Sequence, residues 1–203
     1  MITIRKTPCP PAVTRSTATL MRTGQTTSYR TGDDGDLKAG RDTDFFTLAE
    51  NNPFGNTNRF TDELGGSTYT NDIVIDWSTY NGANVLGYNR NINYWAGSNW
   101  NTAIDNALLY SIGTYTSGWY LANKKQHENL QNINIVGQAL NYAPFNYTTT
   151  ASLWTSTTDP DTTTSAYRWN LVQKTLTALV KTAASNMRTL AVRTFTVTGT
   201  TLT

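Results

Sequence analysis

Residues 100–113 read WNTAIDNALLYSIG, and this stretch decides the fold class that we expect for the chain. Its apolar residues recur at spacings of three and four: Trp100, Ala103, Ile104, Ala107 and Leu108. That period is typical of an amphipathic helix with one buried face. Ser98 or Asn99 can cap the start of the helix, and Gly113 can end it. The stretch therefore predicts a helix that covers part of an apolar core.

A second, shorter helix is predicted in LANKKQHENL, residues 121–130. Asn123 is a good N-cap, and Gln126 follows three residues later, as a capping box requires. Leu121 and Leu130 are then expected to face the core, one before the helix and one at its end.

The rest of the chain has the pattern of β-strands. Residues 67–70 and 73–75 read as short strands, and the last third alternates with a period of two. The apolar positions of that alternation are Tyr167, Trp169, Leu171, Leu176, Ala178, Val180, Leu190 and Val192. The runs at 159–165 and 183–186 are a loop and a turn between strands. Short strands, two helices and then antiparallel strands indicate an α+β fold in one domain.

The composition narrows the class of protein. Hydrophobic residues make up 38% of the chain and charged residues only 15%, and Thr, Asn, Ser and Gly fill the difference. A surface rich in hydroxyl and amide groups is typical of many extracellular and virion-surface proteins. The net charge of +2 is too small to predict nucleic-acid binding, and no segment predicts membrane insertion. A single cysteine, Cys9, cannot form an internal disulfide.

Residues 1–22 differ from the rest of the chain and are predicted to form an extended basic arm. This stretch contains three prolines, no acidic residue, and the basic residues Arg5, Lys6, Arg15 and Arg22. It has no uninterrupted apolar run of the length that a secretory signal needs. An arm of this kind suits an acidic docking surface on a partner. We therefore divide the chain into an anchoring arm, residues 1–22, and a domain, residues 23–203.

The start of that domain, TGQTTSYRTGDDGDLKAG at 23–40, resembles the entry motif of the Lcl C-terminal domain family. Later landmarks follow in the family's order: RFTD at 59–62, TYTND at 68–72, NWNTAIDNA at 99–107, GWYLANKKQHENL at 118–130, LWTSTT at 153–158 and LAVRTF at 190–195. The family occurs at the ends of bacterial collagen-like adhesins and in surface and phage proteins. The resemblance implies a C-type-lectin-like fold, in which two helices pack on a twisted antiparallel sheet. Ala122 and Tyr120 depart from the family, which usually has Pro and often Arg there.

Several acidic residues in the entry motif invite a metal interpretation. Asp33, Asp34 and Asp36 could supply oxygen ligands to Ca²⁺, but an EF-hand loop counted from Asp34 would place Phe45 where a bidentate Glu is needed. A polar turn is the better account of these aspartates, so they are weak metal candidates and no cofactor is predicted.

No catalytic constellation is predicted either. His127 is the single histidine and is expected at the surface or in the cap region of the helix. With no second His and no buried thiol, neither a zinc site nor a Cys-His nucleophile can be assembled around it. A glycosidase needs a pair of carboxylates, and the candidates in this chain are Asp72, Asp76, Asp105, Glu128 and Asp159. None of these carboxylates lies in a motif that pairs it with another, and Asp105 falls on an exposed helical stripe.

Aromatic residues provide the candidates for ligand contact. Trp100, Trp119 and Trp154 match core positions of the family and are expected to pack. Tyr88, Tyr94 and Trp95 lie in a loop region, NGANVLGYNRNINYWAGSN at 81–99, where aromatic rings beside asparagines could bind sugars.

These observations together predict a non-enzymatic structural protein on the surface of a bacteriophage virion, as a head decoration, fibre or tail component that displays a lectin-like recognition domain. Its expected partners are other virion proteins, bound through the arm, and host-surface or mucosal glycans. A homo-oligomer, a trimer by analogy with virion proteins and collagen-like adhesins, is expected. The alternative is a bacterial cell-surface adhesin module that binds glycans.

Overall fold

The structure, a computed structural model, describes residues 53–55, 58–131 and 139–203, without the side chains of Asn93 and Tyr94. In chain order the elements of this part are β1 Phe60–Thr61, β2 Ile73–Asp76, β3 Asn84–Asn89, α1 Trp100–Leu108, β4 Trp119–Leu121, α2 Lys124–Leu130, β5 Ser152–Thr158, β6 Ser165–Asn170, β7 Thr175–Val180, β8 Met187–Arg188, β9 Ala191–Thr198 and β10 Thr201–Leu202. Short 3-10 helices follow β2 at Trp77–Thr79 and β3 at Ile92–Trp95.

The described strands form two sheets. The first has the order β1-β2-β3-β9-β10, with β4 also pairing to β9, and all of its pairs are antiparallel. The second has the order β7-β6-β5-β8. Its β5–β8 pair is parallel, because β8 runs in the same direction as β5 and pairs with it over two residues. Two helices with mainly antiparallel strands confirm the α+β class, and the described strands form two sheets.

Helix α1 begins as predicted and ends early. The Asn99 side chain accepts a hydrogen bond of 2.9 Å from the Thr102 N–H, which caps the first turn. Ala103 and Ala107 are fully buried, whereas Leu108 is 56% exposed, so its predicted burial is wrong. The helix contacts the core through its small alanines, and Leu108 lies about 100° around the helix from Ala107.

Helix α2 has the predicted capping box. The Asn123 side chain accepts a 3.0 Å hydrogen bond from the Gln126 N–H, and the Gln126 side chain accepts a 2.8 Å bond from the Asn123 N–H. Leu121 and Leu130 are buried as expected. Four residues of sequence were enough to place this start, because both bonds of a capping box are local.

The strand predicted at 73–75 is confirmed as β2, and the one predicted at 67–70 is wrong. The Asp62 carboxylate accepts hydrogen bonds from the backbone N–H groups of Leu64, Gly66, Thr68 and Tyr69. Those N–H groups are consumed by a side chain, and Tyr69 has a φ of 53°. The segment is therefore a turn that wraps one carboxylate.

Strands β6, β7 and β9 confirm the predicted antiparallel set, but not every predicted face is buried. In β6 the buried residues are Ala166 and Trp169, and in β7 Leu179 packs against the core while Val180 is 48% exposed. β7 lies at the edge of its sheet, where, among the described strands, only β6 pairs with it. The polar runs at 159–165 and 183–186 connect strands, as expected.

Both faces of the first sheet are covered. Ile73 and Ile75 belong to one buried apolar cluster, and Val74 between them belongs to another. Because successive side chains of a strand point to opposite faces, the alternation places one cluster on each side of β2. The first cluster contains Trp119 and Trp154, which are buried as predicted, and Trp100 packs against it partly buried.

Candidate functional site

Tyr88, one of the three predicted ligand contacts, is inaccessible. It lies in β3, which pairs with β2 on one edge and β9 on the other, and its side chain is 0% exposed. Burial raises the pKa of Tyr88 well above its ordinary value, with Asp76 adding to this effect. The ligand role predicted for Tyr88 is therefore wrong, because the residue lies inside the sheet and not in a loop.

The other predicted ligand contacts lie beside it in the short helix Ile92–Trp95. The Trp95 ring is partly buried and meets Tyr110 edge to face, with 5.0 Å between the ring centroids. This contact makes Trp95 part of the packing against the core. The side chain of Tyr94 lies outside the described part of the structure.

The predicted anchoring and metal residues also lie outside the described residues. They are Arg5, Lys6, Arg15, Arg22, Asp33, Asp34 and Asp36. Within residues 53–55, 58–131 and 139–203, no group of three or more His, Cys, Asp or Glu side chains is arranged to hold a metal ion. The arm and the aspartates therefore stay predictions.

His127 is buried, so its predicted position at the surface is wrong. Its side chain is 0% exposed and meets Trp169 edge to face, with 5.5 Å between the ring centroids. In the described structure, neither ring nitrogen has a hydrogen-bond partner of acceptable geometry. His127 precedes Leu130 by three residues, and that helical spacing was the signal that it shares the buried face of α2.

The electrostatics of His127 follow from this burial. Burial lowers the pKa of His127 from its ordinary 6.5 to about 3, although the nearby backbone of Trp154 and Ala122 favours the protonated ring. The folded protein therefore holds the ring neutral at pH values where the unfolded chain is protonated. A difference in proton binding of this sign makes folding stability fall as the pH falls.

We expect His127 to cost the protein stability in mild acid. The folded state rejects the proton down to about pH 3, so at pH 5 the loss is set by the unfolded pKa of 6.5 and amounts to about 2 kcal/mol. Urea unfolding of the wild type and of His127→Leu at pH 7 and pH 5 measures it. The variant lacks this titration and is expected to lose about 2 kcal/mol less. An equal loss in both proteins contradicts the prediction.

Asp76, one of the carboxylates considered for catalysis, is bound in a structural network. Its two oxygens accept hydrogen bonds of 2.9 Å and 2.8 Å from Nε and Nη2 of Arg59. Ser78 Oγ donates to Oδ1 at 2.6 Å, and Asn129 Nδ2 donates to Oδ2 at 3.1 Å. Both charged side chains are buried, and the network joins the segment before β1 to β2 and α2. A buried carboxylate whose two oxygens are bonded to three neighbouring side chains favours a structural role for Asp76 over a catalytic one.

A different set of polar residues has unused bonding capacity, and we name it the Glu63–Arg193 cluster: Glu63, Asn71, Tyr115 and Arg193. Glu63 is 5% exposed. Its Oε1 accepts a hydrogen bond from Asn71 Nδ2, whereas its Oε2 is buried without a partner in the described structure. Nη1 of Arg193 is likewise buried without a partner there. In the described structure, a negatively charged acceptor, Glu63 Oε2, and a positively charged donor, Arg193 Nη1, therefore each lack a hydrogen bond, and both residues lie near Tyr115.

Four separate segments position this cluster. Glu63 lies in the turn that wraps Asp62, and Asn71 lies in the turn before β2. Arg193 lies in β9 opposite Trp119 of β4, and its guanidinium carbon is 5.1 Å from the centroid of the Tyr115 ring. The same carbon is 4.9 Å from the Phe195 centroid, so the guanidinium contacts two aromatic rings.

The charges of the cluster act on Tyr115. Burial raises the pKa of Tyr115, the Glu63 carboxylate raises it further, and Arg193 opposes the rise. Both charged groups are therefore close to the phenol, which itself donates a 3.4 Å hydrogen bond to the Leu202 carbonyl. Leu64, next to Glu63, is 79% exposed and provides an apolar surface beside the polar groups.

A ligand that offers both a donor and an acceptor would complement these two atoms, and because both are buried, its binding requires that the side chains around them move aside. A ligand hydroxyl can donate to the carboxylate, and another can accept from the guanidinium. Each of these hydrogen bonds is stronger than one between neutral groups, because the protein group is charged. Sequence reasoning missed this cluster because Glu63 and Arg193 are far apart in the chain. The available signal was that Glu63 directly follows the landmark RFTD at 59–62 and that Arg193 lies in the landmark LAVRTF at 190–195.

No protein-family model matches the chain, and neither the curated proteins nor the solved structures gave a match to it. Among the described helices, none combines the length and the apolar character that crossing a membrane requires.

Proposed function

We propose that this chain is a non-enzymatic structural and recognition protein on the surface of a bacteriophage particle. A C-type-lectin-like domain would face the medium, and the basic arm, residues 1–22, would attach it to other virion proteins. The observation that carries the recognition part is the Glu63–Arg193 cluster, in which a buried carboxylate oxygen and a buried guanidinium nitrogen have no partner in the described structure.

The chemistry of the cluster favours a neutral glycan as the ligand. Unsatisfied buried polar atoms cost free energy, and a ligand that supplies their missing bonds recovers it. A sugar hydroxyl can either donate to a carboxylate such as Glu63 or accept from a guanidinium such as Arg193, so a glycan offers the bonds that both atoms lack. The exposed side chain of Leu64 beside them can contact the apolar face of a sugar ring.

The expected result is that the full chain binds a subset of immobilised neutral glycans and that Glu63→Gln weakens this binding about tenfold, through loss of a charged acceptor. Glu128→Gln is the matched control, because Glu128 lies on the helix α2 and pairs with Lys125 at 3.0 Å. A glycan array followed by titration calorimetry measures both. Equal binding by wild type and Glu63→Gln overturns the site, and no binding to any glycan overturns the recognition role.

The alternative function is a bacterial cell-surface adhesin module, and the same cluster would serve it. Sequence composition favours an exterior protein in either case, since only 15% of the residues are charged. Mass spectrometry of purified particles separates the two. The chain in particles at a fixed ratio to the major capsid protein supports the virion assignment, whereas recovery only from the bacterial surface supports the adhesin.

A further inference from the structure

Strand β7 is the edge of the second sheet, and its inner side is fully paired. It pairs antiparallel with β6 over six consecutive residues, from Thr175 opposite Asn170 to Val180 opposite Ser165, without a bulge. No strand of the described residues pairs with its other side. The outer edge of β7 therefore runs straight for the whole length of the strand.

The register identifies which backbone groups point outward. The N–H of Lys181 donates to the carbonyl of Thr164 at 3.0 Å, which continues the same pairing by one residue. In an antiparallel pair, every second residue bonds to its partner strand and the residues between them point away. The N–H and C=O groups of Leu176, Ala178 and Val180 therefore face away from β6. The Val180 carbonyl accepts a 3.0 Å hydrogen bond from the Ala183 N–H, and the other outward groups can bond to an added strand.

This edge lacks the features by which proteins protect edge strands. The sequence of β7 is TLTALV, which has no proline, no charge and no glycine, and Val180 is 48% exposed. Charged residues occur only next to its ends, where Lys174 precedes the strand and Lys181 follows it. A straight, uncharged and partly apolar edge is a template for strand addition.

We propose that the outer edge of β7 binds an extended peptide segment of another protein, and that this segment has acidic residues on both sides of an apolar centre. The two lysines define the charge of the partner. A strand centred opposite Ala178 would place residues three or four positions away beside Lys181 and Lys174, where carboxylates are attracted. Lys181 is held at that end, with its ammonium 4.0 Å from the centroid of the Trp100 ring.

A second copy of this chain fits the edge less well. Two β7 strands related by a twofold axis at Ala178 would place Leu176 of one copy opposite Val180 of the other, which pairs the outward backbone groups except the Val180 carbonyl, already bonded to Ala183. The same register brings Lys181 of each copy beside Lys174 of its partner. Like charges at both ends of the ribbon oppose this pairing. The interaction surface is distinct from the Glu63–Arg193 cluster and does not depend on its ligand.

The test uses the full chain and two labelled eight-residue peptides of alternating Thr and Val, one with Asp at both ends and one with Lys. Fluorescence anisotropy is expected to show binding of the Asp-ended peptide only, and weaker binding as salt is added. Ala178→Pro removes a central outward N–H without breaking the β6 ladder, and we expect about tenfold weaker binding. Thr177→Pro is the control, because it removes an N–H that bonds to β6. We expect its melting temperature to fall well below that of Ala178→Pro, which keeps the β6 ladder.

A double variant, Lys174→Glu with Lys181→Glu, keeps the proposal testable if a proline variant does not fold. It is expected to prefer the Lys-ended peptide. Three outcomes overturn the proposal. They are no binding of the Asp-ended peptide to the wild type, unchanged binding after charge reversal, and a concentration-dependent dimer, seen by light scattering, that Ala178→Pro abolishes.

Discussion

Replacing Asp76 with alanine is expected to lower the free energy of unfolding by about 3–5 kcal/mol, because it leaves the Arg59 guanidinium buried without its counter-charge. Arg59 is 7% exposed and Asp76 is fully buried. Burial lowers the pKa of Arg59, but the charge and hydrogen bonds of Asp76 outweigh burial and raise it above its ordinary value. The arginine therefore stays charged, and the loss of its partner cannot be relieved by deprotonation.

The size of the effect also depends on the other bonds of the carboxylate. Asp76 caps the 3-10 helix Trp77–Thr79 by accepting from the Ser78 N–H, and Asn129 of α2 donates to the same carboxylate. Asp76→Ala removes all of these acceptors at once. Among its hydrogen bonds to the described residues, Arg59 then keeps the 2.8 Å bond to the Asn129 carbonyl, which carries no net charge.

Equilibrium unfolding in urea, with the slope compared between proteins, measures this loss. Asp105→Ala is the matched control, because Asp105 is an exposed carboxylate in α1 and its removal is expected to change the free energy of unfolding by less than about 0.5 kcal/mol. Asp76→Asn keeps one acceptor oxygen but loses the charge and replaces the second acceptor with a donor, so its loss is expected to lie between the two and nearer that of Asp76→Ala. A loss below 1 kcal/mol for Asp76→Ala would show that Arg59 finds another partner.

The parts of the fold that the sequence predicted are those set by neighbouring residues. The capping box at Asn123 and Gln126 closes within four residues, and β2 is a short run of apolar residues between turns. Strand β3 was missed although it is central. Its apolar pattern is interrupted by Gly87, and the surrounding asparagines are typical of a loop. The structure explains the glycine, because a Cβ there would come within 2.5 Å of the Phe195 ring.

Predictions failed where a residue outside a short sequence pattern outweighed that pattern. Residues 67–70 have strand-forming side chains, yet the Asp62 carboxylate takes the N–H groups of Thr68 and Tyr69 that a strand would need. His127 is polar and was placed at the surface, yet Trp169 from β6 covers it. The Asp62 contacts reach six and seven residues along the chain, beyond the four-residue strand pattern, and the Trp169 contact is tertiary, so neither belongs to the pattern that made the prediction.

The candidate site was hidden for a similar reason. Aromatic residues were preferred as ligand contacts because their chemistry can be read from their identity, but burial depends on which strands pair. Tyr88 is an example, because β3 pairs with β2 on one edge and β9 on the other, and its side chain is buried. Glu63 is an ordinary charged residue in the sequence, and only the position of Asn71, Tyr115 and Arg193 around it distinguishes it from a surface carboxylate.

Trp154→Ala is expected to lower the free energy of unfolding by about 3–5 kcal/mol, the usual cost of removing a large buried aromatic side chain. Trp154 lies in β5 and is 0% exposed. Its ring belongs to the same apolar cluster as Ala103 and Ala107 of α1 and Ile75 of β2. Removing it opens a cavity between the second sheet, the helix and the first sheet, so several elements lose packing together.

A polar contact of Trp154 adds to this loss and allows the two contributions to be separated. Its Nε1 donates a 3.0 Å hydrogen bond to the Ser98 carbonyl, just before the cap of α1. Trp154→Phe keeps most of the ring volume and removes this bond, so it is expected to cost about 1–3 kcal/mol. Leu109→Ala, at a residue that is 81% exposed, is expected to change little. If Trp154→Ala costs no more than Trp154→Phe, the bond to Ser98 and not the packing joins the helix to the second sheet.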